Sequence, residues 1–203
     1  IKYDAAGNLY IANSDGTLNR LDISGNVTTI ANNLGGATGL ALNAANEAFV
    51  VNSSGQVTKI NSSNAKSTFA IGLVSPQGAT FDSSGALYVT ETSRNRIVAL
   101  NTSGQIASAI ESLILSPQEL LSSGNGDVYV LNSQSITKFN GNTPGSIVGR
   151  GLLAATSFTI APAGIRWSVW PRRAFGFPST ISDRATRPSM WSRTSLSTSS
   201  RST

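Results

Sequence analysis

The chain has 203 residues, of which 12% are charged, and it contains neither cysteine nor histidine. The 203 residues therefore cannot form a disulfide, a thiolate nucleophile or a histidine-ligated metal site. They also cannot form a Ser-His-Asp or Cys-His catalytic group. The formal net charge is +5, which by itself would suggest binding to nucleic acid.

The positive charge is concentrated at the C-terminal end. Residues 1–164 carry eight Lys and Arg against nine Asp and Glu, whereas residues 165–203 carry seven Arg and one Asp. A nearly neutral surface does not hold polyanions, so a nucleic-acid partner is not expected.

The sequence offers no readable signal for targeting or for membrane insertion. No apolar run approaches the roughly 20 residues of a membrane helix, so we expect no membrane span. The chain starts at Ile1 without a signal peptide, as a mature or truncated product would. The abundance of Asn, Ser and Thr favours an extracytoplasmic or secreted protein.

An aromatic residue recurs at an almost constant interval. The positions are Tyr10, Phe49, Tyr88 and Tyr129, separated by 39, 39 and 41 residues. In the first unit Asp4 opens the segment D-A-A-G-N-L-Y, and in the third Asp82 opens D-S-S-G-A-L-Y. An Asp side chain can bond the backbone two residues on, and Gly supplies a positive φ. Each such segment therefore predicts a turn between two strands.

Each repeat holds four short strand-like segments. In the second and third repeats, apolar segments such as 49–51 and 88–90 are followed by alternating ones such as 56–60 and 96–100. No stretch has convincing helical periodicity. Four antiparallel strands in about 40 residues form one blade of a β-propeller. The sequence therefore predicts an all-β propeller of four-stranded antiparallel blades, with about four blades present.

One segment carries a family resemblance. Residues 76–106, PQGATFDSSGALYVTETSRNRIVALNTSGQI, resemble an NHL repeat through their Pro-x-Gly opening, D-x-x-G-x-L-Y-V turn and N-R-I strand. The resemblance covers residues 1–164 and extends to gluconolactonase-like and streptogramin-lyase propellers. It implies that this chain is part of a six-bladed propeller. It implies no single function, because propellers of this type have many different functions.

The repeats end abruptly. We assign blades to residues 1–35, 36–75, 76–116 and 117–156, with the start of a fifth at Ser157. After Gly164 the sequence continues IRWSVWPRRAFGFP instead of a segment like ALYV. We expect residues 165–203, a tail rich in Arg, Ser, Thr and Pro, to be out-of-frame translation or a spliced or fused segment. The alternative is a genuine disordered tail.

A polar residue stands three positions after each repeated aromatic. We call this set the polar column; its members are Asn13, Asn52, Glu91 and Asn132. Such residues commonly cap the next loop through local backbone bonds. The functional alternative is a ring around the central channel that binds a sugar, a peptide or a cation. Oxygen atoms of Asn and Glu are suitable ligands for Ca²⁺. The sequence assigns no metal site, and apart from Ca²⁺ we expect no cofactor.

Two further groups complete the candidate binding residues. Arg94 and Arg96 lie close to Glu91 in sequence, and we expect an exposed ion pair or, alternatively, an anion-recognition patch. Gln77 and Gln118 each follow a Ser-Pro pair, and we expect them at the mouth of the channel.

No residue set amounts to a catalytic signature. We therefore expect a non-catalytic binding or scaffold propeller that recognises a protein or carbohydrate partner through its top-face loops. The alternative is a metal-dependent lactonase or hydrolase, because gluconolactonase-like enzymes hold a divalent ion with Glu, Asn and Asp in the channel. The resemblance to streptogramin lyases implies a catalytic histidine, which this sequence lacks.

Overall fold

The computed structural model of the chain describes residues 1–123, 125–141, 145–152, 157–161 and 164–168. These residues form 18 strands and one 3₁₀ turn, Thr92–Arg94. The strands are β1 (Lys2–Tyr3), β2 (Leu9–Ala12), β3 (Leu18–Leu21), β4 (Val27–Ala31), β5 (Ala37–Leu42), β6 (Ala48–Asn52), β7 (Val57–Ile60), β8 (Lys66–Ala70), β9 (Pro76–Phe81), β10 (Leu87–Glu91), β11 (Arg96–Leu100), β12 (Ile106–Ile110), β13 (Glu119–Ser122), β14 (Asp127–Leu131), β15 (Ser135–Asn140), β16 (Ser146–Arg150), β17 (Ser157–Ala161) and β18 (Gly164–Ser168).

The strands pair with their neighbours in sequence. β1–β4, β5–β8, β9–β12 and β13–β16 form four antiparallel sheets of four strands each, and β17 pairs with β18. The predicted all-β propeller of four-stranded antiparallel blades is therefore confirmed. Among the residues described, no helix is long and apolar enough to cross a membrane.

The turn chemistry predicted from the repeats is confirmed. Asp4 Oδ1 accepts the backbone N–H of Ala6 at 3.0 Å, and Asp82 Oδ1 accepts that of Ser84 at 2.9 Å. Gly85 follows with φ of +85°, a value that a side chain would strain. These local bonds fix the first hairpin of a blade and with it the strand register.

The hydrophobic core consists of layers between successive blades. Phe49 and Val51 of the second blade pack with Val89 and Leu100 of the third, and all four are almost fully buried. Equivalent layers join the first blade to the second and the third to the fourth. Each blade is thus stabilised mainly by its neighbours, as in other repeat proteins.

The innermost strands of adjacent blades approach very closely. A Cβ atom built on Gly39 would lie 2.3 Å from the carbonyl oxygen of Gln77, and one on Gly78 would lie 2.5 Å from that of Gln118. Neither distance is sterically possible, so both positions in these strands require glycine. The strands β5, β9 and β13 therefore line the central channel with little space between them.

The last two strands continue across the end of the repeat pattern. β18 pairs with β17 in a regular register from Ala161↔Gly164 to Ser157↔Ser168. It includes the first four residues of the segment predicted to be a tail. Residues 169–203 lie outside the described part of the chain, so the nature of the tail stays a prediction.

Candidate functional site

Glu91 of the polar column is buried and links two blades. The residue is the last of β10 and is 0% exposed. Its Oε1 accepts the backbone N–H of Val74, in the loop that joins the second blade to the third, at 2.6 Å. Its Oε2 accepts the Nε–H of Arg96 at 2.5 Å. Both carboxylate oxygens are therefore occupied by the protein itself.

Asn132 makes the same kind of link one blade later. Its Oδ1 accepts the N–H of Leu115 at 3.1 Å, and its Nδ2 donates to the carbonyl oxygen of Leu113 at 3.3 Å. Nδ2 also donates to Thr137 Oγ1 at 2.9 Å. The loop between the third and fourth blades is thus tied to the second strand of the fourth.

Asn52 combines a link between blades with a local cap. Its Nδ2 donates to the carbonyl oxygen of Leu34 at 3.0 Å, in the loop between the first two blades. Its Oδ1 accepts the N–H groups of Ser54 and Gln56, each at 3.1 Å. Asn13, the first member of the column, is half-buried and donates only to the nearby Thr17 Oγ1, at 2.9 Å.

These contacts determine whether the polar column could bind a cation. The side-chain oxygens of Asn52, Glu91 and Asn132 each accept hydrogen bonds from the chain, so the column does not offer the six to eight oxygen ligands that Ca²⁺ takes. In the part of the chain that the structure describes, no group of three or more His, Cys, Asp or Glu could hold a metal ion. The column is better explained as a set of links between blades.

The ion pair at Glu91 is buried, not exposed as the sequence suggested. The side chain of Arg96 is 20% exposed, whereas that of Arg94 is 48% exposed and places Nη1 3.5 Å from Glu91 Oε1. Sequence spacing showed the three charges but not their depth, because the depth depends on the Val74 loop that covers Glu91. Arg94 alone presents its charge to solvent.

The upper part of the central channel is a polar cavity of about 250 Å³. The inner strand of every described four-stranded blade contributes to it. Its polar side chains are Lys2, Thr38, Gln77, Gln118 and Glu119. Gln77 and Gln118 both line this cavity, and Gln77 is exposed there.

A second cavity, of about 270 Å³, lies next along the same strands. The upper cavity is lined by residues 38–40, 77–79 and 118–120, and the lower one by 41–42, 80–81 and 121–122. Lys2 lines both. The lower cavity is more apolar, with Tyr3, Leu42, Phe81 and Leu121 beside the hydroxyls of Thr80 and Ser122.

Lys2 and Glu119 are channel residues that no motif in the sequence indicated. Burial lowers the pKa of the Lys2 ammonium below its ordinary value, and the negative charge of Glu119 acts in the opposite direction. The signal for Glu119 was available in the repeat: it stands four residues before Ser123, as Gly39 and Gly78 stand before Asn43 and Asp82. A carboxylate therefore occupies the position where the preceding blades require glycine.

The top-face loops of the third and fourth blades are joined into one surface. Thr92 Oγ1 donates to the carbonyl oxygen of Pro117 at 2.6 Å, and the Ser116 N–H donates to Asn95 Oδ1 at 2.8 Å. The Ser93 hydroxyl donates to Ser75 Oγ at 2.7 Å. We call this the top surface; its exposed residues are Ser75, Ser93, Arg94, Asn95, Leu113 and Leu115.

Backbone strain accompanies these loops. Ser75 and Ser116, which precede the two prolines, have φ of 47° and 46°. Such left-handed conformations of non-glycine residues persist only where the surroundings hold them. The hydrogen bonds between the loops therefore make the top surface rigid.

Comparisons with solved structures establish the fold. The chain is similar to a catalytically inactive virginiamycin B lyase from Staphylococcus aureus (17% identity, TM-score 0.64, 77% of this chain and 56% of that one). It is similar to a chain of the nidogen/laminin complex (19%, 0.70, 83% and 70%) and to a candidate gluconolactonase (17%, 0.65, 82% and 69%). No protein-family model matches the sequence, and no curated protein matches it significantly.

Identity at this level carries the fold alone. The chain has the fold of a β-propeller, as the sequence predicted. It spans about half the length of the virginiamycin B and streptogramin B lyases.

Proposed function

We propose that the chain is a non-catalytic binding propeller that recognises a protein partner through its top surface. The observation that carries the proposal is the rigid set of joined loops on the third and fourth blades. Leu113 and Leu115 expose 46% and 59% of their area there, beside the exposed guanidinium of Arg94. Apolar side chains next to a preorganised arginine are typical of protein-binding surfaces.

The similar proteins are consistent with this proposal. One chain of a nidogen/laminin complex is 19% identical to this chain, and that chain takes part in a complex between proteins. The lyase is described as catalytically inactive when a histidine is replaced by alanine, and the 203 residues of this chain contain no histidine. The lactonase alternative would need several carboxylates in the channel, and Glu119 is the one carboxylate among the residues that line the two described cavities.

A carbohydrate partner is the second candidate. Gln77 and Gln118 present carboxamides on equivalent inner strands of neighbouring blades, and carboxamides can both donate to and accept from sugar hydroxyls. A glycan bound at the channel mouth would use these two side chains in preference to Leu115.

The test compares three forms of the 203-residue chain as immobilised bait in a native extract. Leu115→Asp places a charge in the top surface, and Ile23→Asp, at an exposed position on the opposite face, is the matched control. We expect a protein captured by the wild type and by Ile23→Asp but not by Leu115→Asp. Capture of the same proteins by all three forms would contradict the proposal. A glycan microarray with Gln77→Ala and Gln118→Ala tests the second candidate.

A further inference from the structure

One loop position has a left-handed backbone in all four of the four-stranded blades. It directly precedes a buried residue of a core layer, which is Leu34, Leu73, Ile114 or Leu152. The residues at this position, with their φ angles, are Asn33 (54°), Gly72 (83°), Leu113 (60°) and Gly151 (75°). Glycine and asparagine adopt this conformation most readily. The third blade alone places a leucine where the backbone disfavours one.

Packing does not explain the side chain of Leu113. A Cβ atom built on Gly72 or on Gly151 would meet nothing within 4 Å, so the fold leaves this position open. Leu113 exposes 46% of its area and does not belong to the core layer that contains Ile114. Burial of an apolar side chain therefore does not offset the strain of the backbone.

The backbone of Leu113 is held by the fourth blade. Its carbonyl oxygen accepts hydrogen bonds from Thr137 Oγ1 at 2.8 Å and from Asn132 Nδ2 at 3.3 Å. Bonds of this kind keep a residue in a disfavoured conformation, and they would be the same with glycine or asparagine at position 113. The leucine side chain thus adds only one thing, which is an exposed apolar group on a fixed backbone.

The neighbouring loop carries an excess of positive charge. Glu91 pairs with Arg96 at 2.5 Å and with Arg94 at 3.5 Å, so two guanidiniums share one carboxylate. Arg94 is the exposed member, and the hydrogen bond from the Ser116 N–H to Asn95 Oδ1 joins its loop to that of Leu113. A complementary partner therefore has a carboxylate beside its apolar contact.

We propose that Leu113 is an anchor that enters an apolar pocket of the partner protein, beside a carboxylate that pairs with Arg94. This inference rests on the proposed function of the top surface and names the chemistry of the partner. Leu115 extends the apolar contact. An anchor whose backbone is fixed before binding loses less conformational entropy in the complex.

The first measurement is the thermal stability of Leu113→Gly and Leu113→Asn, which carry the residues found in the other blades. We expect a Tm equal to that of the wild type or up to roughly 2–4 °C higher, because strain is relieved and no packing is lost. Leu113→Ala keeps the strain and should be the least stable of the three. Ile23→Asn, at an exposed position with an ordinary backbone, is the control.

The second measurement uses the 203-residue chain as bait in a native extract and quantifies the protein that the wild type captures. Leu113→Gly and Leu113→Asn should capture it roughly tenfold less, although both are stably folded. Leu113→Met keeps an apolar side chain and should retain it.

Two charge variants test the carboxylate of the partner. Glu111 is exposed two residues before Leu113 and takes part in none of the ion pairs among the described residues. Arg94→Gln should weaken capture, whereas Glu111→Gln should leave it unchanged or strengthen it. The opposite order would overturn the assignment of a carboxylate to the partner.

A photoreactive diazirine side chain at position 113 identifies the contact directly. We expect cross-links to apolar residues in a segment of the captured protein that also contains Asp or Glu. The same group at position 23 should not cross-link that protein. Cross-links spread over unrelated proteins, or confined to segments without a carboxylate, would contradict the proposed partner chemistry.

The inference and the proposed function can fail separately. A Tm more than roughly 2 °C below that of the wild type for Leu113→Gly and Leu113→Asn would show that Leu113 serves the fold, and would overturn the inference alone. Capture that is lost in Leu115→Asp but kept in Leu113→Gly would also overturn the inference and leave the proposed function intact. Capture of no protein by the wild type would overturn both.

Discussion

The polar column and the channel wall differ in what their polar side chains contact. Asn52, Glu91 and Asn132 recur in successive blades, are buried, and bond to the loop that precedes their own blade. Glu119 departs from the repeat and lines a cavity. In a repeat protein every blade must solve the same packing problem. A recurring polar residue is therefore explained by structure, whereas one that breaks the pattern is a candidate for function.

The largest effect should come from the buried charge of the column. Glu91→Ala leaves the Val74 N–H and the Arg96 guanidinium without their buried acceptor. We expect the free energy of unfolding to fall by about 3 kcal/mol or more, as measured by urea denaturation. Arg94→Ala is the matched control, because its guanidinium is 48% exposed, and it should cost less than about 1 kcal/mol. Equal losses in the two variants would show that Glu91 does not link the blades.

The close approach of the inner strands can be tested by adding a single Cβ atom. Gly78→Ala would force a Cβ atom to within 2.5 Å of the Gln118 carbonyl oxygen. We expect a loss of about 2–3 kcal/mol in the free energy of unfolding. Gly36→Ala is the control, since its Cβ would meet nothing nearer than 3.6 Å. If both variants were equally stable, the blades would be less tightly spaced than described.

The neutral members of the column should contribute less than Glu91. Asn132→Ala removes the bonds to Leu113 and Leu115, and we expect it to cost about 1–3 kcal/mol. Asn13→Ala loses only a local bond to Thr17, so its cost should be smaller. Thermal melts of the two variants side by side measure the difference. A larger loss for Asn13→Ala would contradict the role of the column between blades.

Carboxylates that pair with lysines outside both regions set the dependence of stability on pH. The hydrogen-bonded ammonium of Lys138 holds the pKa of Asp127 below its ordinary value, and Lys59 does the same for Glu47. The unfolded chain therefore takes up protons before the folded chain does, and this stabilisation is lost as the pH falls through the folded pKa values. We expect the Tm to be flat near neutral pH and to fall below about pH 4. Asp127→Asn should flatten that fall, and a Tm that rises on acidification would refute the assignment.

The smallest effect is expected from calcium. The oxygens of the polar column are occupied, so millimolar Ca²⁺ or EDTA should leave the Tm unchanged. A bound ion would raise stability by RT ln(1 + [L]/Kd). A clear increase with Ca²⁺, abolished by EDTA, would reopen the metal-dependent alternative.

The sequence predicted the fold well because the repeat is local. The spacing of Tyr10, Phe49, Tyr88 and Tyr129, with the turns that Asp4 and Asp82 begin, specifies hairpins within single blades. Such short-range signals are readable without a structure.

The candidate site was harder to predict because it depends on contacts between blades. The polar column was visible in the sequence. Its burial depends on loops such as that of Val74, and the residues of the column do not predict the course of those loops. The prolines before Gln77 and Gln118 led us to predict these two residues at the mouth of the channel. Lys2 and Glu119 were missed because neither residue recurs in the other blades. Glu119 stands out only when the structure shows that Gly39 and Gly78, at the equivalent positions, have no room for a side chain.

The most direct test is the hydrogen-exchange rate of two backbone amides in the unmodified chain. The N–H groups of Val74 and Leu115 donate to Glu91 and Asn132, although both lie in loops between blades. If the polar column links the blades, both amides exchange slowly, at rates close to those of the strands. Exchange as fast as that of exposed turns would show that Glu91 and Asn132 are free to serve a ligand, and would contradict the account.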